Sequence, residues 1–220
     1  MVAKIPRVIY LSSTSLGKEL LGYLQQYPIE LVLVNTDNTK ITEFPDYDLG
    51  ISFLYTHRIP SSEFKTPYKW VNFHPGPLPE YRGRNIAYHA IMQKSPHFGS
   101  TIHYMDVDFD TGEIIDVIRF PIESGHTAGD LVALSYKALA DLFVKYIPQL
   151  LQSKVPSFPQ FKDGTYYRKS AINEYIDLTE QEQLEIRALT VAGRFYAKTQ
   201  IGEREYVIMP IEDAKHAINQ

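Results

Sequence analysis

The chain has 220 residues, 44% hydrophobic and 22% charged, with a net charge of −4, which is the profile of an ordinary soluble globular protein built on one core with room for a small appendage. It contains no cysteine, and that excludes thiolate nucleophiles, cysteine-ligated zinc, iron–sulfur clusters and disulfide frameworks. The 22 basic and 26 acidic residues form no run of either sign, so the charge argues against a protein that coats phosphate backbones, and no nucleic-acid partner is expected.

The first apolar run, Val8 to Leu11, is a short strand pattern, too brief for the core of a signal peptide. No later stretch approaches the roughly 20 apolar residues that cross a bilayer, so a cytoplasmic protein with no membrane partner is the expectation. Ser12 to Gly17 reads as a polar turn, and Lys18 to Tyr27 has helical spacing in Leu20, Leu21 and Leu24, stopped by Pro28. Ile29 to Val34 is a near-continuous apolar run of the kind that lies inside a parallel sheet covered on both faces, which completes a βαβ unit. Leu49 to Leu54 and Lys69 to His74 add two more strands, and the pattern predicts an open α/β sheet.

A helix-compatible stretch at Ile86 to Ile91 is followed by strands at Ser100 to Met105 and Glu113 to Phe120. Thr127 to Leu151 reads as a long helix with a capping signal in Thr127 and Asp130, one face lined by Leu131, Leu134, Ala138 and Leu142, and Pro148 expected to kink or end it. Beyond this the character changes. A capping box at Thr179 to Glu182 opens a short helix, and Phe195 to Thr199 with Glu205 to Met209 flank Gly202 as a terminal β-hairpin. The division expected is a main α/β domain over 1–155 and a C-terminal extension over 156–220.

Asn72 and His74 stand two apart in a predicted strand, so they point to one face, at the carboxyl end where open α/β sheets place their ligands. The following Pro75-Gly-Pro-Leu-Pro79 stiffens the loop that leaves the sheet. An acidic loop, Asp106 to Glu113, could bring a carboxylate to the imidazole, and Asp110 is the best placed. A carboxamide donor, a histidine and an orienting carboxylate suit acyl transfer to an amine with no enzyme nucleophile. The acidic loop fails as a calcium site, because counting Asp106 as position one puts Thr111 at six and Val117 at twelve, and no metal is expected. The βαβ turn lacks the G-x-G-x-x-G of dinucleotide enzymes.

Asn72-Phe-His74-Pro-Gly-Pro-Leu-Pro79-Glu-Tyr-Arg82-Gly83, followed by Asp108-Phe-Asp110-Thr-Gly112, resembles the signature of the formyltransferases that use N10-formyltetrahydrofolate, over about Val8 to Leu150. The resemblance implies a Rossmann-like catalytic domain, here with a small C-terminal helix and hairpin. It implies a catalytic trio of Asn72, His74 and Asp110, and no metal. It also places His57, Arg58 and Ile59 in the segment whose backbone holds the pterin, with Asp106 and Asp108 in the loop that closes over it.

Among subfamilies, the polar loops and tail are most similar to nucleotide-sugar formyltransferases. The implied acceptor is a nucleotide-linked amino sugar such as a dTDP-4-amino-4,6-dideoxyhexose, with Arg82 and Arg84 as candidates for its diphosphate, and lipopolysaccharide O-antigen synthesis as the usual setting. The methionyl-tRNA members carry a further C-terminal barrel, for which this length leaves too little chain. A glycinamide ribonucleotide formyltransferase fits the length but has a glycine-rich first loop, where Ser12 to Gly17 stands here. A non-catalytic folate- or nucleotide-sensing module is the reading from another class. An isolated two-stranded ribbon is marginal, so the terminal hairpin is expected to pair with a second subunit in a homodimer.

Overall fold

In the computed structural model the described residues are 4–160 and 164–168, together with the backbone of 197–201 and 204–208. By compactness the chain divides into two units, one of 1–82, 99–119 and 135–165, the other of 83–98, 120–134 and 166–220.

The first unit is organised by a six-stranded sheet. Its strands are β1 (Arg7–Ser12), β2 (Glu30–Asn35), β3 (Leu49–Phe53), β4 (Trp70–His74), β6 (His97–Tyr104) and β7 (Ile114–Pro121), in the order β2-β1-β3-β4-β6-β7. The β2, β1, β3 and β4 pairings are parallel, and β6 runs antiparallel to β4. Helix α1 (Ser15–Leu24) starts earlier than the sequence pattern predicts because Thr14 caps it, its Oγ1 accepting from the Gly17 amide at 3.1 Å. The turn expected over Ser12 to Gly17 is thus largely the first turn of a helix.

β1 shows how the two faces are built. Val8 and Tyr10 pack into a core with α1 and the helix α3 (Ala128–Leu150), while Ile9 and Leu11 pack on the opposite face with Ile59 and Trp70. β2 departs from expectation: it is an edge strand, mostly half-buried with Val34 40% exposed, because β1 inserts itself between β2 and β3. On the helix side, Phe53, Phe73 and Phe143 pack together, with ring centroids 5.2–5.7 Å apart.

α3 has the predicted reciprocal cap, the Asp130 carboxylate accepting from the Thr127 amide at 2.8 Å and the Asp130 amide donating back to Thr127 Oγ1 at 3.2 Å. Leu134 lies off its buried stripe at 36% exposure, because Ala128, Leu131, Ser135, Ala138, Leu139 and Leu142 define that stripe instead. Pro148 neither ends nor interrupts the helix before Leu150. It lies in the last turn, and the Val144 carbonyl that lacks its helical donor receives the Tyr23 hydroxyl at 3.4 Å.

The short strands β5 (Tyr81–Gly83) and β8 (Thr165–Tyr167) form a separate pair, and α2 spans Ile86–Met92. The terminal hairpin is present as antiparallel β9 (Ala197–Ile201) and β10 (Arg204–Ile208). The helix expected from Thr179 falls outside the described residues. Among the described residues no helix is long and apolar enough to cross a membrane.

Candidate active site

The alternation of β4 decides which side chains meet. Val71 and Phe73 belong to the helix-side core and Trp70 to the opposite one, so Asn72 and His74 emerge on the Trp70 face. In β6 the same alternation buries Ile102 and Tyr104 in the helix-side core and turns Thr101 and His103 the other way. The antiparallel register then sets Asn72 opposite His103 and His74 opposite Thr101. Four polar side chains therefore share one patch at the carboxyl end of β4. Thr101 serves the loop after His74, donating to the Gly76 carbonyl at 2.7 Å and accepting from the Leu78 amide at 3.0 Å.

The hydrogen bonds assign opposite tautomers to the two histidines. His74 donates Nε2–H to the Tyr81 carbonyl at 2.7 Å, which leaves Nδ1 facing Asp110 Oδ1 at 3.6 Å. His103 donates Nδ1–H to the Tyr104 carbonyl at 2.7 Å, and its bare Nε2 accepts from the Asn72 carboxamide at 3.1 Å. Nε2 of His103 is 3.8 Å from the same Asp110 oxygen. Three of these groups are nearly excluded from water, with side-chain exposures of 4% for His74, 2% for His103 and 14% for Asp110, and Asn72 is half-buried.

Burial pushes the His103 pKa down to about 4, against the opposing attraction of Asp110, so this ring is neutral at pH 7. It acts as a fixed acceptor that sets which way the Asn72 carboxamide points. No local sequence pattern marks this contact, since only the cross-strand register of β4 and β6 reveals it.

Asp110 comes to His74 from the loop between β6 and β7 and has φ 58, a left-handed conformation that an aspartate tolerates better than most residues. Asp106 shapes that loop from below, its Oδ1 accepting from the Asp108 amide at 3.2 Å and the Thr111 hydroxyl at 2.6 Å. Asp108 itself is exposed.

His57 is committed to a neighbouring loop, its Nε2–H donating to the Asn38 carbonyl at 2.7 Å, and Ile59 is buried beside Trp70 at 3% exposure. Their side chains are thus occupied, while Arg58 places its guanidinium 5.2 Å from the ring centre of Phe109 and ties the 55–60 segment to the acidic loop. The arginines expected to share a diphosphate are placed differently. Arg82 gives Nε and Nη2 to Gln160 at 3.2 and 2.8 Å, whereas Arg84 belongs to the second unit, has an exposed side chain and donates its amide to the Tyr167 carbonyl at 2.9 Å. Gln160 carries no sequence signal.

The arrangement offers a carboxamide N–H, an imidazole nitrogen able to take a proton and a carboxylate to balance the resulting charge. Residues 46–147 match the formyl transferase family. The chain is 34% identical over 136 residues to a methionyl-tRNA formyltransferase of Halorhodospira halophila, covering 60% of this chain and 44% of that one. It spans between 44% and 57% of the length of this enzyme and its counterparts from Corynebacterium diphtheriae and Bacillus cereus. In structure it is similar to a 4-N formyltransferase from Francisella tularensis, with TM-score 0.79, 19% identity, and 93% and 97% of the two chains covered. It is also similar to a formyltransferase from Anoxybacillus kamchatkensis solved with UDP-4,6-dideoxy-4-formamido-L-AltNAc and tetrahydrofolate, with TM-score 0.64, 25% identity, and 74% and 86% covered. Residues 46–147, which hold Asn72, His74, His103 and Asp110, are therefore a formyl transferase domain.

Proposed function

We propose that the protein transfers a formyl group from N10-formyltetrahydrofolate to the amine of a nucleotide-linked amino sugar, a dTDP-4-amino-4,6-dideoxyhexose. The observation that carries this reading is the convergence of Asn72, His74 and Asp110 on one nearly buried patch. The bound donor supplies an activated formyl carbon. Because the Nε2–H of His74 is held by Tyr81, Nδ1 is the nitrogen that receives the proton of the attacking amine, and Asp110 stabilises the imidazolium so formed. Asn72 uses one N–H on His103 and directs the other at the oxygen that becomes negative as nitrogen bonds to carbon. His74 returns its proton to N10 as the N10–carbon bond breaks, so the amine loses one proton and the folate gains one.

The residues around the trio suit a folate. The acidic loop exposes two apolar side chains, Val107 at 57% and Phe109 at 50%, beside Arg58, while Ile59 fixes the 55–60 backbone whose polar groups would meet a pterin. Catalysis is assigned to residues 1–155, with 156–220 as a supporting extension. The acceptor rests on fold similarity to a 4-N formyltransferase and to a formyltransferase solved with a UDP-linked 4-formamido sugar, whereas sequence similarity favours methionyl-tRNA as a second reading.

The test is formyl transfer from N10-formyltetrahydrofolate to a panel of dTDP-, UDP- and GDP-linked amino sugars, glycinamide ribonucleotide and methionyl-tRNA, read by mass. Gain of one formyl group on a single dTDP sugar is the expected result. Formylation of methionyl-tRNA or glycinamide ribonucleotide alone would overturn the acceptor and leave the chemistry standing. Folate binding without any product would overturn the enzyme and favour a sensing module.

A further inference from the structure

We propose that Gln160, clamped by Arg82, is a positioning residue that sets Asp110 against His74; this rests on the reading of Asn72, His74 and Asp110 as the reacting trio. The Gln160 carboxamide is used at both ends. Its Nε2 donates to the Asp110 carbonyl at 3.0 Å and to the Gly112 carbonyl at 2.7 Å, gripping the backbone on both sides of Thr111. Its Oε1 accepts from two nitrogens of the Arg82 guanidinium, at 3.2 and 2.8 Å, which fixes the carboxamide in the donor-inward orientation.

The grip falls where the backbone most needs it. Asp110 has φ 58, a conformation that the surrounding structure must hold in place, and a turn about this residue would swing its carboxylate away from Nδ1 of His74. β5 supplies both halves of the bracket: the Tyr81 carbonyl fixes His74 through Nε2, and the next residue, Arg82, fixes Asp110 through Gln160. The two members of the 3.6 Å pair are thus referred to one short strand, although Asp110 lies on the β6–β7 loop. This gives Arg82 a role other than phosphate binding.

Gln160→Glu is the decisive variant, since it keeps the size of the side chain and its contact with Arg82 but replaces both donors by an acceptor facing two carbonyls. Gln160→Ala removes the grip altogether. Both are expected to lower kcat roughly 10- to 100-fold, the scale of a misplaced reacting group, with little change in KM for either substrate. Independently of activity, the imidazole nitrogen resonances of His74, read by NMR at one pH in the unliganded protein, are expected to move towards their positions in Asp110→Asn. Wild-type kcat in Gln160→Glu, or His74 resonances unmoved in that variant, would overturn the proposal. Absence of turnover in the wild type with every acceptor would sink the functional reading, and the resonances would still decide the role of Gln160.

Discussion

Asp110 faces two imidazoles that present it with different nitrogens, Nδ1 of His74 and Nε2 of His103. His74 gives its Nε2–H to a backbone carbonyl and turns Nδ1 to Asp110, the nitrogen proposed to take the proton, whereas His103 spends both nitrogens on hydrogen bonds within the protein. His74→Ala should therefore fold and lose kcat by roughly two or more orders of magnitude, the range for a proton-transfer or oxyanion group, and near-wild-type turnover would remove it from the mechanism. His103 makes a separate prediction about stability. Its folded pKa of about 4 lies below the ordinary value of 6.5, so between these two the unfolded chain holds a proton that the folded one refuses. Stability should be full above pH 6.5, fall as the pH drops towards 4 by on the order of 3 kcal/mol, and take no further loss from this residue below that. Urea denaturation across this range checks it. In His103→Gln the decline should be shallower, and an unchanged slope would mean that other groups cause it.

At the scale of the elements, the β6–β7 loop carries Asp110, the carboxylate proposed for catalysis, and Gly112 is where it has no slack. A Cβ there would stand 1.9 Å from the Tyr104 carbonyl oxygen, so Gly112→Ala must displace the loop. The expected cost is about 1–3 kcal/mol in urea denaturation, with kcat lowered because Asp110 moves with the backbone. Unchanged stability and turnover would show that the loop yields without moving Asp110. The period-two pattern made Asn72 and His74 legible as neighbours on one face, and the motif with Asp110 pointed to the third member. His103 needed the antiparallel register of β4 and β6, which no local pattern carries. Gln160 joins the loop across 50 residues of chain through backbone carbonyls, which have no side-chain signature at all. The same limit explains β2: an apolar run records that a strand is hydrophobic, but not whether it ends up at the edge of the sheet. Leu134 misled for a related reason, since helical spacing alone does not fix where the buried stripe is centred.

Across the whole molecule, the hairpin of β9 and β10 makes the strongest prediction. It forms a sheet of two strands, and among the described residues neither strand pairs with any other. Two strands alone are marginal in water, and bare edges invite pairing with another chain. A second copy of this chain is an occupant that is always available, and a two-fold arrangement would let one edge meet its equivalent in antiparallel register. Light scattering should therefore give the mass of a dimer for the whole chain and of a monomer for a chain ending at Gly193. The first unit, which contains Asn72, His74, Asp110 and Gln160, does not include the hairpin, so the shortened chain should keep the proposed formyl transfer if it folds. A monomeric whole chain, or a shortened chain of unchanged dimeric mass, would remove the hairpin from the interface. A shortened monomer that folds but has lost turnover would instead tie activity to assembly.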